Sequence, residues 1–335
     1  MNAIDKFDNA VQSYLNDAKY RGVSQATLNN YTVRLALFRE FWFDTTGGKA
    51  DPTTKDVENW RNSLLDGGKK SSTVAQYLME VSYFYNYATD SDVYTGECYK
   101  KNIVNKRMLP KVQKKPYDML LSDDEVAKLW DRNSYTSLKN YAIVMVLLCT
   151  KIRNKELIAL TLDDIDFENE EIYIRHGKGD KFRIVDFDKM AQSAVKLYLE
   201  KGLHPRDLSG GKPLFGTMAS HTFGCGRNNH EEWHTYSSQG LSALVERQVK
   251  AITGVGSIRT HDLRHIGSRI ALNSRTVSME ELQAELGHSS MNTTQIYSGR
   301  LILGKRNKES VNRLLEEKEL QLRENERELG GAIRC

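Results

Sequence analysis

The sequence predicts a mainly α protein with a small antiparallel β-sheet, divided into two domains. Four amphipathic helical patterns occupy the first part of the chain, a basic segment follows them, and a continuously apolar stretch at 141–149 begins a second core. The length of 335 residues is sufficient for two domains of ordinary size. We expect a helical domain at 1–95, a linker at 96–116, a second domain at 117–304 and a helical tail at 305–335.

The composition indicates an intracellular protein with packed cores. Hydrophobic residues make up 39% and charged residues 27% of the chain, and the longest apolar runs are too short for a transmembrane helix. The N-terminus lacks the basic and apolar regions of a signal peptide. The four cysteines form no C-x-x-C pair, which favours reduced thiols and a cytoplasmic location. The net charge of +4 permits a polyanionic partner without establishing one.

The first domain contains helices with clear hydrophobic faces. One face begins with Phe7, Val11 and Tyr14, and a second helix follows a candidate N-cap at Ser24. The fourth pattern carries an aromatic stripe between residues 77 and 87. These aromatic side chains could stack on nucleic-acid bases, but a stripe at helical spacing is more often part of a core.

The predicted linker is strongly basic. Between residues 96 and 116 a single acid, Glu97, stands against the basic residues Lys100, Lys101, Lys106, Arg107, Lys111, Lys114 and Lys115. Such a segment is either a solvated tether or a strap that neutralises DNA phosphates. The sequence of the linker alone leaves both interpretations open.

The second domain places charged residues directly after its most apolar helix. Ser122 and Glu125 form a capping box that begins one helix, and 141–149 predicts the central buried helix. Arg153 and Glu156 follow at once. Because an unpaired buried charge is costly, they are either an i,i+3 ion pair or a phosphate-binding arginine braced by a glutamate.

Two alternating segments after this point predict a β-hairpin, at 172–175 and 182–187, with Lys178 at its tip. The acidic run at 163–168 lacks the glycine and glutamate of a calcium loop and reads as a polar loop. Residues 203–240 are harder to interpret. They contain a candidate zinc set whose spacing matches no standard pattern, and we therefore expect no metal at His221, Cys225, His230 and His234.

The stretch from Arg259 to Tyr297 concentrates the remaining candidates. A helix capped by Thr260 would place His261, Arg264 and His265 on one face. A capping box at 278–281 predicts a further helix ending at Gly287, so that His288 and then Tyr297 follow its C-terminus.

In order along the chain, these residues resemble the tyrosine recombinases, the family of phage integrases and Xer-type enzymes. The matching contexts are R-x-x-E-L at 153–157, G-K-G-x-K-x-R at 177–183 and L-G-H-S-S-x-x-T-T-x-x-Y at 286–297. The resemblance covers nearly the whole chain, since the family carries a helical core-binding domain before its catalytic domain. Two features depart from it: Lys151 stands where the family usually has glycine, and residues 203–240 have no counterpart in the pattern.

The resemblance implies a site-specific recombinase that forms a covalent 3′-phosphotyrosine. Its catalytic set would be Arg153, Lys178, His261, Arg264, His288 and Tyr297, with Glu156 and His265 behind them. The two arginines and His288 suit the phosphoryl oxygens, His261 suits the base and Lys178 suits the acid that protonates the 5′-oxygen. No cofactor is required, because the covalent intermediate conserves the energy of the broken bond.

The resemblance further implies double-stranded DNA as the partner and a homotetramer on paired DNA sites. It also implies a protein that acts at the nucleoid without membrane association and is encoded by a chromosome, a virus or a mobile element. A type IB topoisomerase, a DNA-binding regulator with a relic site and a zinc hydrolase are the alternatives. In the tail, Leu315, Leu322 and Leu329 repeat every seven residues. We expect a helix that packs on a neighbouring protomer or a free solvated tail.

Overall fold

The computed structural model describes residues 2–112, 120–177, 182–202, 204–205, 207–219, 232–274, 277–286 and 308–332. The chain divides into two compact units, Met1–Lys115 and Pro116–Cys335. Both are mainly helical, and the sheets within the described ranges are small and antiparallel. The predicted fold class is confirmed. No helix in these ranges has both the length and the apolar character needed to cross a membrane.

The first unit is built from the four predicted helices: α1 (Ala3–Tyr20), α2 (Gln25–Thr46), α3 (Thr54–Asp66) and α4 (Ser71–Ala88). The Ser24 side chain accepts a hydrogen bond from the backbone N–H of Thr27 and so caps α2, as predicted. In the aromatic stripe of α4, Phe84 and Tyr85 are fully buried and Tyr83 is 46% exposed. The stripe therefore serves mainly as core.

The first part of the predicted linker is packed rather than free. Tyr99, Ile103 and Met108 are buried in the core of the first unit. All the basic residues of the segment that the structure describes remain exposed, namely Lys100, Lys101, Lys106, Arg107 and Lys111. A count of the charges does not reveal that the segment is packed, because the buried apolar residues are spaced between the lysines. Lys114 and Lys115 lie outside the described residues.

The second unit contains a three-stranded sheet, a two-stranded sheet and a larger set of helices. Its strands are β1 (Ile165–Asp166), β2 (Glu171–Ile174), β3 (Arg183–Asp186), β4 (Gly216–Ala219) and β5 (Glu232–Thr235). Its helices are α5 (Asp123–Trp130), α6 (Leu138–Thr150), α7 (Asn154–Ala159), α8 (Lys189–Lys201), α9 (Ser238–Thr253), α10 (Thr260–Asn273), α11 (Met279–Leu286) and α12 (Lys308–Ala332).

Helix α6 is the centre of the second core, as its sequence predicts. Every residue from Tyr141 to Thr150 is buried, and α8 and α10 pack against it. The sheet has the order β1-β2-β3, and Ile174 with Arg183 is the pair of β2 and β3 nearest the hairpin turn. The predicted capping boxes at 122–125 and 278–281 are both present. Helix α10 differs, because its N-cap is Arg259 and Thr260 is its first residue.

Helices α6 and α10 approach each other closely at Gly267. A Cβ atom at this position would lie 2.0 Å from the carbonyl oxygen of Leu148 and 3.2 Å from Cγ of Lys151. The distance of 2.0 Å is much shorter than a van der Waals contact, and the Leu148 carbonyl belongs to helix backbone that cannot move aside as a side chain could. Only glycine allows this helix spacing, which also sets the distance between Arg264 on α10 and the chain that follows α6.

We expect Gly267→Ala to destabilise the protein by about 3 kcal/mol or more, because the helices must separate to admit the methyl group. This loss outweighs the gain of about 1 kcal/mol in helix propensity. Urea unfolding measures the difference. Gly256→Ala is the matched control, since its Cβ would meet only Lys250 Cδ at 3.9 Å. Equal stability of the two variants would contradict the close-approach interpretation.

The segment 203–240, which the family pattern does not explain, includes the β4–β5 hairpin. Trp233 Nε1 donates to the carbonyl oxygen of Pro213 at 2.8 Å, and Thr235 Oγ1 donates to that of Ile158 at 3.0 Å. The second bond attaches the base of the hairpin to α7, and the first joins β5 to the segment just before β4. Of the candidate zinc residues only His234, on β5, is described, and His221, Cys225 and His230 lie outside the described residues.

Helix α12 packs against α5 and α8 of its own chain. Asn325 is fully buried and donates to Tyr141 Oη and Ser193 Oγ, both at 3.0 Å, while Lys318 Nζ lies 2.6 Å from Asp188 Oδ2. The helix is therefore not a free tail in this structure. The buried residues of its described face are Leu314, Gln321 and Asn325, whereas the heptad leucines Leu315, Leu322 and Leu329 are only partly buried.

Candidate active site

Arg153 lies at the point where the buried helix gives way to α7, for which it is the N-cap residue. Its backbone N–H donates to Glu156 Oε2 at 2.7 Å, and its Nη1 donates to Glu156 Oε1 at 2.9 Å. Its Nη2 donates to the carbonyl oxygen of Leu286 at 2.8 Å. The side chain is 24% exposed, so these bonds hold a guanidinium that is still partly accessible.

Arg264 reaches the same place from α10. The residue is only 2% exposed, and its Nη1 donates to the carbonyl oxygen of Lys151 at 2.6 Å. Its Nη2 donates to the carbonyl oxygen of Leu286, also at 2.6 Å. Both arginines thus bond one oxygen atom, that of Leu286 at the end of α11. Because they share this acceptor, their guanidinium groups lie side by side although the residues are far apart in sequence.

Glu156 is the anion behind this pair of cations. It receives a second guanidinium, since Arg183 Nη1 and Nη2 donate to its two carboxylate oxygens at 2.8 and 2.7 Å. Burial alone would raise the pKa of this carboxyl group, but the hydrogen bonds and charges of Arg183 and Arg153 lower the pKa to about 2. The i,i+3 ion pair, one of the two alternatives that the sequence left open, is present, and Glu156 also accepts from the Arg153 backbone N–H. The phosphate-binding role of Arg153 stays a prediction.

Replacement of Glu156 by glutamine should destabilise the second unit by about 3 kcal/mol near neutral pH, because two arginines lose their buried counter-charge. The folded-state pKa is depressed, so the stabilisation is present above the unfolded value of about 4.3 and disappears as the pH falls toward 2. Unfolding free energies of both proteins against pH test this. The exposed Glu319→Gln is the control, and a stability difference independent of pH would contradict the assignment.

His261 and His265 stand one turn apart on α10, with their Nε2 atoms 3.0 Å apart. Two N–H groups cannot face each other at this distance, so at least one ring is neutral. Although His261 is exposed, partial desolvation lowers the pKa of its imidazole. The charges of Arg264 and Arg153 lower that pKa further, and the charge of Asp262 opposes them. A neutral imidazole at physiological pH can accept a proton.

The predicted helical face is present, and it brings His261 and His265 next to the arginine pair. The remaining members of the predicted set, Lys178, His288 and Tyr297, lie outside the described residues. Strands β2 and β3, which flank the Lys178 turn, form the predicted antiparallel pair. Helix α11 ends at Leu286, two residues before His288.

Sequence reasoning missed three groups. Arg183 occupies an inward position of β3, and its Nε also donates to the carbonyl oxygen of Glu285 at 3.1 Å, which fixes the hairpin to α11. The sequence signal that could have identified Arg183 was the presence of an arginine on the buried face of a predicted strand. The carbonyl of Leu286 and the ion pair of Lys151 with Glu285 had no such signal, because they depend on how α6, α10 and α11 meet.

Two guanidinium groups lie side by side here, with a neutral imidazole and the buried Glu156 carboxylate nearby, an arrangement that suits a tetrahedral oxyanion. Guanidinium groups donate in parallel to phosphate oxygens, and they remain charged at any physiological pH. The described part of the site therefore has the side chains that could bind a phosphoryl group and accept a proton beside it.

Comparison with known proteins places this site in a family. The phage integrase family matches residues 120–301, and the phage integrase N-terminal SAM-like domain matches residues 11–92. The tyrosine recombinase XerC of Lacticaseibacillus casei is 28% identical over 295 residues, covering 86% of this chain and 92% of that protein. The corresponding protein of Oceanobacillus iheyensis is 27% identical and covers 89% and 92%.

Solved structures agree on the fold. A lambda integrase (residues 75–356) dimer bound to a core site has a TM-score of 0.62 at 18% identity, covering 87% of this chain and 94% of that one. The XerH site-specific recombinase bound to its palindromic substrate has a TM-score of 0.62 at 23% identity, covering 87% and 80%.

The chain belongs to the phage integrase family and is a tyrosine site-specific recombinase, an enzyme that breaks and rejoins DNA strands. The comparisons do not favour the topoisomerase or the regulator with a relic site.

Proposed function

We propose that Arg153 and Arg264 bind the scissile phosphate of a DNA strand and that Tyr297 attacks it. The observation that carries this proposal is the shared acceptor: both guanidinium groups bond the Leu286 carbonyl and so lie together. A phosphoryl group placed against the two would receive parallel donors to its non-bridging oxygens. These donors stabilise the negative charge that grows on those oxygens during attack.

Proton transfers complete the step. A tyrosine with a pKa of about 10 costs roughly 4 kcal/mol to ionise at pH 7, so a base must assist Tyr297. His261 takes that proton, as its lowered pKa allows. The Tyr297 oxygen bonds to phosphorus, the bond from phosphorus to the 5′-oxygen breaks, and Lys178 protonates the leaving oxygen. His288 adds a donor to the phosphate, while Glu156 and His265 position Arg153 and His261.

The cycle needs no metal ion or nucleotide, because the phosphotyrosine bond retains the energy of the phosphodiester. The 5′-hydroxyl of a partner strand attacks this intermediate, the new phosphodiester forms, and Tyr297 is released with its proton. Exchange between two duplexes requires four protomers. We therefore propose a homotetramer on paired double-stranded DNA sites, acting on chromosomal or mobile-element DNA in the cytoplasm.

The two units fit this role in separate ways. We propose that residues 1–95 form a core-binding domain and 117–304 the catalytic domain. The segment between them would contact DNA phosphates through its exposed basic residues. The tail 305–335 contains α12, whose docking surface on α5 and α8 could receive the same helix from a neighbouring protomer in the tetramer.

Capture of the covalent intermediate tests the proposal. Duplexes carrying a nick just beyond the cleavage position release a short strand on cleavage, which traps the adduct. Fragments from the chain's own genomic neighbourhood supply the candidate target sites. Peptide mass spectrometry of the trapped complex should place the nucleotide on Tyr297. Absence of an adduct on every fragment, with duplex binding intact, would refute the proposed activity.

A further inference from the structure

Lys151 occupies a backbone conformation that favours glycine. It is the C-cap of α6 with a φ of 57° and a ψ of 21°, in the left-handed region. Residues with a Cβ atom are strained there. The side chain is nevertheless kept in the interior, with the residue 8% exposed. A strained position that holds a buried lysine points to a role for that side chain.

The lysine forms a buried ion pair with Glu285 of α11. Its Nζ lies 2.7 Å from Glu285 Oε1 and donates to the carbonyl oxygen of Cys149 at 2.9 Å. The two side chains are 9% and 13% exposed. Burial raises the pKa of the Glu285 carboxyl group and the charge of Lys151 opposes that rise, so each charge depends on the other in this interior.

The pair joins the two backbone segments that hold the arginines. The carbonyl of Lys151 accepts from Arg264. The residue after Glu285 is Leu286, whose carbonyl accepts from both Arg153 and Arg264. The ion pair thus connects two carbonyl groups that accept from Arg264, and one of them, that of Leu286, also accepts from Arg153.

We propose that Lys151 and Glu285 are positioning residues that fix the spacing of the Arg153 and Arg264 guanidinium groups for phosphoryl transfer. The inference rests on the proposed roles of these arginines. Neither residue touches the phosphate. Loss of the pair frees α11 from the end of α6, so the Leu286 carbonyl shifts and the arginines no longer match the transition state. A misplacement of about 1 Å can cost roughly 100-fold in rate.

The test compares Lys151→Met, Glu285→Gln and the double variant in single-turnover cleavage of nicked DNA. The single variants should cleave at least about tenfold more slowly, while their Kd for duplex DNA stays within about threefold. The double variant should cleave no more slowly than the slower of the two single variants, because either single substitution already removes the ion pair. Lys151→Arg, which keeps the charge, should recover much of the rate.

Arg269→Met is the matched control for stability. Arg269 on α10 pairs with Asp123 at 3.3 Å, and these side chains are 17% and 13% exposed, similar to the Lys151 pair. This variant should lower the thermal midpoint and leave the cleavage rate of folded protein unchanged. A merely structural Lys151 pair would behave in the same way, and that result would overturn the inference.

If Lys151→Met does not fold, Lys151→Gly replaces it in the test. This variant is expected to fold because glycine adopts the positive φ at this position without strain. It should fold and cleave slowly, and wild-type cleavage by Lys151→Gly would overturn the inference. Failure of the wild-type protein to form any adduct would instead refute the proposed function, so the two failures are distinguishable.

Discussion

Tyr297→Phe is expected to form no covalent protein–DNA adduct while it binds duplex DNA with wild-type affinity. The substitution removes one oxygen atom, and this oxygen is the proposed nucleophile. In the proposed mechanism the two arginines hold the phosphate for attack by this one oxygen atom, which forms the covalent bond. The expected loss is therefore complete within the sensitivity of the assay rather than partial.

Gel separation of protein joined to labelled DNA measures this loss, and a mobility shift measures binding. Tyr20→Phe is the matched control, because Tyr20 is 89% exposed in the first unit and should behave as wild type. A covalent adduct formed by the Tyr297→Phe variant would show that another residue is the nucleophile.

Arg264→Lys is expected to lower the cleavage rate by about 100-fold or more at saturating DNA. Lysine keeps the positive charge but lacks the planar fork, so it cannot hold the carbonyls of Lys151 and Leu286 and also donate to a phosphate oxygen. Removal of one well-placed donor to a developing oxyanion costs about 100- to 1,000-fold in comparable sites.

Arg264→Ala should abolish cleavage and also reduce stability, by roughly 1–3 kcal/mol for each buried carbonyl that loses its donor. Comparison of the two variants separates the structural loss from the catalytic one. Arg323→Ala, at a side chain that is 69% exposed on α12, is the control. Wild-type cleavage by folded Arg264→Lys would remove this arginine from the site.

Much of the fold follows from local sequence. The continuous apolar run at 141–149 predicted the buried helix, since a helix that is apolar on all sides must be surrounded by protein. The capping boxes at 122–125 and 278–281 predicted two helix starts, because each is a short-range exchange of hydrogen bonds. Helix α10 begins one residue earlier than expected, with Arg259 instead of Thr260 as its N-cap, since Asp262 accepts from the Arg259 N–H.

The tail shows where local patterns mislead. Its leucines at every seventh position suggested a seam, yet the buried face of α12 carries Gln321 and Asn325. Those amides are buried because Asn325 meets the hydroxyl groups of Tyr141 and Ser193 on its own domain. A hydrophobic repeat cannot reveal such a face, because its partners lie more than a hundred residues away.

The sequence by itself predicted the chemical groups of the proposed site and their order along the chain, from Arg153 to Tyr297. It did so because a phosphoryl-transfer site requires particular side chains, and their spacing within each motif is local. The tertiary structure alone decided how Arg153 and Arg264 come together. Their common acceptor is a backbone carbonyl, which any residue could supply. The neighbouring Lys151–Glu285 pair forms only when α11, which packs on α10 and β3, lies next to the end of α6.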